Sequence, residues 1–216
     1  MAPSSPLQGR RCASALYVIM KDQRALDIVD RISEVVTQLH YVWSLYREVY
    51  AGSPEQTALL NRNGSNFFFY TQQLMLDHIA LVFSKLTDPD KQGKFENLSL
   101  KQIHGYINRE EDKELMQALK AKFEEFAQAC ETFRIRRHKK IAHADLDHEL
   151  KLSPEPLPGF SGDDVEKALS LLRQYMHLVE KHFFDRTILY QATKGSLSTG
   201  GRAVIAALER SESNNV

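Results

Sequence analysis

The chain has 216 residues with 28 Lys and Arg against 28 Asp and Glu, so no global field points to nucleic acid or a membrane surface, and any electrostatic argument must be local. A hydrophobic content of 43% and a charged content of 26% are ordinary for one soluble globular domain with a proper core. The only cysteines, Cys12 and Cys130, argue against a disulfide framework and suit a reducing cytoplasm, and no apolar run is long enough to span a bilayer.

Residues 1–20 read as a flexible arm or a short extra element. Arg10 and Arg11 precede an apolar run from Cys12 to Met20, faintly like a signal peptide, but the run is short and Lys21-Asp22-Gln23 follows without a small-residue cleavage site. From Asp22 the spacing predicts a helix whose buried face carries Leu26, Val29, Ile32, Val35 or Val36, Leu39, Val42 or Trp43, Tyr46 and Val49. Ala51-Gly52-Ser53-Pro54 breaks it. Gln56 to Asn63 adds a turn, and Asn63-Gly64-Ser65-Asn66 opens a second helix with Phe67, Phe68, Leu74, Met75, Ile79, Val82 or Phe83, and Leu86 at helical spacing. Thr87-Asp88-Pro89-Asp90 ends it. Lys91 to Leu98 is a connector, and Ser99 is placed to cap a short helix from Leu100 to Ile107.

The next helix starts at Glu110-Glu111-Asp112, where its dipole favours negative charge, and is expected to run to about His143 or Asp145. Leu119, Phe123, Phe126, Cys130 and Phe133 mark its inner stripe, so Cys130 reads as a small buried hydrophobe. The proline-rich loop from Leu152 to Gly159 precedes a final long helix capped by Ser161-Gly162-Asp163-Asp164, with Val165, Leu169, Leu172, Tyr175 or Met176, Val179, Phe183 and Tyr190 inward. Lys194 to Gly201 reads as a linker, Ala203 to Leu208 as one or two turns, and Ser211 to Val216 as a polar tail. The expectation is an all-α fold, an up-and-down antiparallel helical bundle of four long helices plus a short one, with an arm over 1–20, the bundle over 21–193 and a Gly/Ser-rich tail over 194–216.

One stretch breaks its own pattern. On the stripe that carries Cys130 and Phe133, the next position is Arg137, so a guanidinium arrives where an apolar side chain is due, and such a charge is costly unless paired or facing a wet cavity. Between Phe133 and Asp145 stand Arg134, Arg136, Arg137, Lys139 and Lys140 with His138 and His143, and no carboxylate before Asp145. Arginine offers phosphate two parallel charged hydrogen bonds, and histidine moves protons near neutral pH. Together they suffice to break an RNA phosphodiester without a metal. Arg137 and His143 lie six apart, roughly 120° around a straight helix, whereas Arg136 and His143 nearly share a face. The helix therefore bends or ends near Ala142, or the partners come from two chains of a two-fold dimer.

The competing structural reading pairs Arg137 with a buried carboxylate such as Glu34, Asp77 or Asp185 and leaves Arg134, Arg136, Lys139 and Lys140 as a solvated helix end. It also makes His143 a helix-ending residue favoured by the dipole. A metal site drawing on His138, His143, Asp145, Asp147 and His148 is disfavoured, because His138 and His143 lack the i, i+4 spacing of a helical zinc pair and the flanking cations repel a metal. Phe67 to Phe69 read as core or dimer contact rather than as a base-stacking platform.

Arg137-His138-Lys139-Lys140-Ile141-Ala142-His143 fits the Arg-x(4-6)-His signature of the HEPN superfamily, and Ala142-His143-Ala144-Asp145 looks like the form found in its AbiU-type abortive-infection branch. Asn66-Phe67-Phe68-Phe69, Leu81 to Asp88 and Asn97-Leu98-Ser99-Leu100 resemble that branch in order and spacing, so the likeness covers roughly Asp22 to Tyr190. The resemblance implies a homodimeric helical bundle with the signature residues of both chains in one cleft. It also implies metal-independent endoribonuclease activity as a toxin or phage-defence effector, with no cofactor. Arg137 and His143 would be the catalytic pair, His138 would hold the polar position where asparagine is frequent, and Asp145 would support a neighbouring base. Arg134, Arg136, Lys139 and Lys140 would contact RNA, with an antitoxin or a nucleotidyltransferase as a possible protein partner. The alternative is a non-catalytic HEPN module that binds RNA, a nucleotide or such a partner through the same patch.

Overall fold

The computed structural model describes residues 6–141, 146, 150, 158–192 and 199–214. The helices are α1 (Pro6–Tyr50), α2 (Pro54–Leu86), α3 (Leu100–His104), α4 (Lys113–Ala129), α5 (Glu131–Arg136), α6 (Gly162–Phe184) and α7 (Gly201–Ser213). The expected all-α bundle is the fold: α1 lies along α2, α5 continues along α2, and α4 packs on α6. Their inner faces form one core around Ile32, Leu39, Phe83, Leu119, Phe126, Phe133, Leu169 and Tyr175. At the ambiguous positions of α1, Val36 rather than Val35 and Trp43 rather than Val42 are buried.

Several boundaries differ from the sequence reading, each for a local reason. α1 starts at Pro6 rather than Asp22, because proline suits the first helical turn and no further proline stands before Pro54; the stretch 6–20 read as an arm is helical backbone. The expected start of the second helix at Gly64 is instead a kink within α2, where Gly64 adopts φ 157° and ψ 58°, a conformation only glycine takes readily. Lys91–Gln92 pairs with Phe95–Glu96 in a short antiparallel hairpin, turning on Gly93 at φ 61°. Ser99 stands at the N-cap of α3 but makes no capping hydrogen bond, and its buried Oγ has no hydrogen-bond partner among the described residues. The expected continuous fourth helix is broken at Cys130 (φ −90°, ψ 1°), whose thiol is fully buried and is pushed well above the ordinary range by desolvation.

α6 opens as expected, on a reciprocal capping box between Ser161 and Asp164. It ends at Asp185, which turns through the left-handed region at φ 50°. Tyr190 is buried, as expected, but from a 3-10 turn (Tyr190–Ala192) rather than from the helix. There its hydroxyl accepts from Ser33 Oγ at 2.9 Å and donates to Glu180 at 3.0 Å. Glu180 is wholly buried and takes a second bond from Arg186 Nε at 2.6 Å, while the other end of Arg186 reaches Asp30 at 2.8 Å. Burial pushes the Tyr190 phenol up, so it stays a donor.

The C-terminal stretch read as a tail contains the folded helix α7. Ile205 closes a small cluster with Val49, Leu59 and Leu60, and Glu212 holds Arg62 at 2.8 Å and Asn63 at 2.8 Å. Gly201 seats this helix, since a Cβ there would lie 2.7 Å from Val49 Cγ2 and 2.8 Å from Glu48 Cβ.

Within α1, His40 is buried, with Nδ1 donating to the Val36 carbonyl at 3.0 Å. Desolvation lowers its pKa from 6.5 to about 4, so the unfolded chain binds this proton more tightly than the folded one. That stability is complete above pH 6.5 and is lost as pH falls towards 4, by roughly 3 kcal/mol in all. Urea titrations at pH 7 and pH 4.5 should show this loss, and His40→Gln should reduce it; an equal acid loss in the variant would remove His40 as the cause.

Candidate functional site

The basic stretch is positioned by apolar anchors on either side. Phe133 is fully buried, with its ring 4.8 Å from those of both Phe83 and Phe160, and Ile141 packs on the edge of the core. Between them, α5 widens into a π-helical segment, Arg137–Ile141, of the kind often found at functional sites. The sequence reading left open a helix that bends or ends near Ala142 and a site shared by two chains; the widening falls just before Ala142, which itself lies outside the described residues.

The facing surface belongs to α2. Arg136 Nε donates to Asp77 Oδ1 at 2.8 Å, and its guanidinium lies over the Phe160 ring at 5.5 Å. Lys140 Nζ reaches the same carboxylate at 3.1 Å. Arg137 Nη1 donates to Asp88 Oδ1 at 2.9 Å and to Ser84 Oγ at 3.4 Å. Thus the structural ion pair considered for Arg137 is present, but with Asp88 rather than Glu34, Asp77 or Asp185. Asp77 and Asp88 are eleven positions apart, roughly 16 Å along the helix axis, so consecutive arginines reach in opposite directions along α2. Asp77, Ser84 and Asp88 share one face of α2 by their spacing of seven and four. That spacing was readable, whereas the assignment of each carboxylate to its cation was not.

Two carboxylates meet three cations here, so the patch keeps positive charge. Arg137 and Asp88 have side chains 22% and 19% exposed, neither sealed in the core nor free in solvent. Of the Arg137 donors, only Nη1 is engaged among the described residues. Arg134 holds Glu131 at 3.4 Å on the surface. His138 is exposed and Lys139 half-buried. His143 and Asp145 lie outside the described residues, as do the other ligands weighed for a metal apart from His138. Among the described residues no group of three or more His, Cys, Asp or Glu gathers as metal ligands would.

The same face of α2 continues toward its N-terminal half as an apolar surface. Phe67, Tyr70 and Leu74 are 68%, 65% and 69% exposed; of the two readings for the Phe67–Phe69 run, core or dimer contact, Phe67 does not take the first. Spaced three and four apart, they lie with Asp77, Ser84 and Asp88 in a band about 100° wide. Only Phe68 of this aromatic run turns inward, against the Val49 and Ile205 cluster. No helix among the described residues is long and apolar enough to cross a membrane.

A family model described as AbiU2, of the HEPN type, matches residues 22–198, most of the chain. No curated protein and no solved structure matches it.

Proposed function

The chain belongs to the AbiU2 family of HEPN proteins, and from that membership we propose that it is a metal-independent endoribonuclease, a cytoplasmic abortive-infection toxin whose active site is shared by two copies. The observation that carries this reading is Arg137: a half-buried guanidinium fixed by Asp88 through one nitrogen, with its other donors uncommitted among the described residues. In the proposed reaction the 2'-oxygen forms a bond to phosphorus as the bond to the 5'-oxygen breaks. One proton leaves the 2'-hydroxyl and one arrives on the departing 5'-oxygen. His143 supplies this acid–base function, and Arg137 stabilises charge on the non-bridging oxygens. Lys139, Arg134 and His138 extend the contact along the RNA backbone, while Arg136 and Lys140 act mainly by setting the segment on Asp77.

The exposed band of Phe67, Tyr70 and Leu74 supplies the dimer surface, being large, apolar and continuous with the face that anchors Arg137. Tyr70→Asp is expected to shift the protein to monomer in sedimentation and to abolish cleavage together with dimerisation. A Tyr70→Asp protein that remains dimeric would place the interface elsewhere.

The test of the reaction is incubation of purified protein with RNA in excess EDTA, followed by end analysis. Fragments with cyclic 2',3'-phosphate and 5'-hydroxyl ends are expected; intact RNA under conditions in which the protein binds it would eliminate the nuclease. A second reading has its own support: Arg136, Arg137 and Lys140 all already hold carboxylates. In that reading the segment is a structural clasp that presents the remaining cations to RNA, a nucleotide, an antitoxin or a nucleotidyltransferase without catalysis.

A further inference from the structure

The hairpin of Lys91–Gln92 and Phe95–Glu96 follows closely on the residue that holds Arg137. Its base is closed by Asn97, whose backbone N–H donates to the Asp90 carbonyl at 2.8 Å and whose Nδ2 donates to the Pro89 carbonyl at 2.8 Å. Asp88, one residue further back, accepts from Arg137. Because a residue spans at most about 3.6 Å, these bonds keep the Cα atoms of Phe95 and Asp88 within roughly 20 Å of each other. Across the ladder Lys91 faces Glu96 and Gln92 faces Phe95, and successive side chains alternate between the two faces. The Glu96 face is held to α1 by Arg24 and carries a second ion pair to Lys91 at 3.5 Å. Phe95 and Gln92 therefore occupy the face turned away from α1.

Phe95 is 67% exposed, with the 39% exposed Leu98 as its one exposed apolar companion in this stretch. That is short of the contiguous patch of several hundred Å² that marks a protein interface. A lone exposed ring is what an unpaired base needs for stacking. The Lys94 ammonium lies 5.4 Å from the ring centroid, over one face, and leaves the other face to a base. Between residues 85 and 101, Lys85, Lys94 and Lys101 have no carboxylate within ion-pair distance among the described residues. Asp88 and Glu96 are both held by cations, and Asp90 alone is not. The stretch keeps positive charge for a polyanion.

We propose that the hairpin selects single-stranded RNA for the site built on Arg137: an unpaired base, a few nucleotides from the phosphate at Arg137, stacks on Phe95. Gln92, exposed on the same face, offers its amide to the edge of that base. Lys94 and Lys85, the latter exposed on α2 one turn before Asp88, hold the intervening backbone. The inference rests on the reading of Arg137 as a phosphate-binding residue. It makes duplex RNA the poorer ligand, because a paired base must leave its stack to reach the ring.

The experiment measures binding of the full chain, by fluorescence anisotropy, to a strand of about twelve nucleotides, within the span of ordinary single-strand sites, whose 2'-hydroxyls are replaced by fluorine. Such a strand has no attacking oxygen, so binding is read apart from cleavage. It is tested single and annealed to its complement, with 2-aminopurine placed at successive positions to report stacking. The proteins are wild type, Phe95→Ala, Phe95→Leu and Phe95→Trp. The expected result is single-strand binding weakened about five- to a hundredfold in Phe95→Ala, the usual share of one stacked base. Phe95→Leu should lose nearly as much, and Phe95→Trp should bind at least as well as wild type. Wild type should bind the duplex more weakly than the single strand, and 2-aminopurine should be quenched at one position in wild type but not in Phe95→Ala. The ring is outside the core, so the melting temperatures should match. The proposal is overturned if wild type shows no preference for the single strand, if Phe95→Ala binds it as tightly as wild type, or if Phe95→Leu serves as well as Phe95→Trp. Phe95-dependent binding by a protein that leaves natural RNA intact would remove the nuclease and keep the role of the hairpin. Equal cleavage of natural RNA by wild type and Phe95→Ala at limiting RNA concentration would keep the nuclease and remove that role.

Discussion

His143→Ala should slow RNA cleavage by about 10²–10⁴-fold, the usual contribution of a positioned acid–base group, while RNA affinity changes little. Arg137→Gln should lower the rate by a similar order, about 10²–10³-fold, because a preorganised charge facing the phosphoryl oxygens is removed. The two variants differ in stability. Arg137→Gln strips the cation from the half-buried Asp88 and should lower the unfolding free energy by about 1–3 kcal/mol. Asp88→Asn separates the two readings of the clasp. As a nuclease, the variant keeps an amide oxygen for Arg137 Nη1 and loses a negative charge beside the substrate, so KM should fall while kcat is largely kept. As a purely structural pair, it should lose stability with no effect on any RNA-dependent signal. Single-turnover cleavage and urea unfolding of the three variants decide the matter, and full activity in His143→Ala would end the catalytic assignment.

Arg186→Ala should produce the largest stability loss in the chain. Glu180 is wholly buried, and Arg186 is its only cationic partner among the described residues. Removing one member of a buried pair typically costs about 3–5 kcal/mol; since Arg186 is 39% exposed, the lower end, about 3 kcal/mol, is expected. For a protein of this size that corresponds to a melting temperature lower by roughly 6–12 °C. The double variant Glu180→Gln, Arg186→Met should be more stable than Arg186→Ala, because no charge is left stranded. A drop under about 1 kcal/mol for Arg186→Ala would mean that water already solvates Glu180.

What could be read from the sequence was local. The Ser161–Asp164 cap, the stripe from Leu119 to Phe133 and the displaced cation at Arg137 all follow from spacing within a few turns. The partners of that cation do not. Asp88 is 49 residues away, and nothing in the spacing of the basic stretch distinguishes it from Asp77 or Asp185. The break at Cys130 was hidden because the apolar period runs through it unchanged. The outward turn of Leu74 was hidden, and core and dimer contact stayed undivided for Phe67, because periodicity reports that a face is apolar, not what covers it. Helix α7 was read only as one or two turns over Ala203 to Leu208, because Gly200-Gly201 and the serines before it signal a linker, whereas the glycine is there to let two helices touch.

The kink at Gly64 divides the labour of α2. Above it, Leu59, Leu60, Arg62 and Asn63 answer to the C-terminal helix; below it, Asp77, Ser84 and Asp88 answer to the arginines. Apart from Phe68, which packs back onto the cluster of Leu59, Leu60 and Ile205, the named groups on the two sides hold different partners, so changes at Arg62 or Asn63 should add energetically to changes at Asp77 or Asp88. Sequence drift around the C-terminal helix can then accumulate without disturbing the register of the clasp.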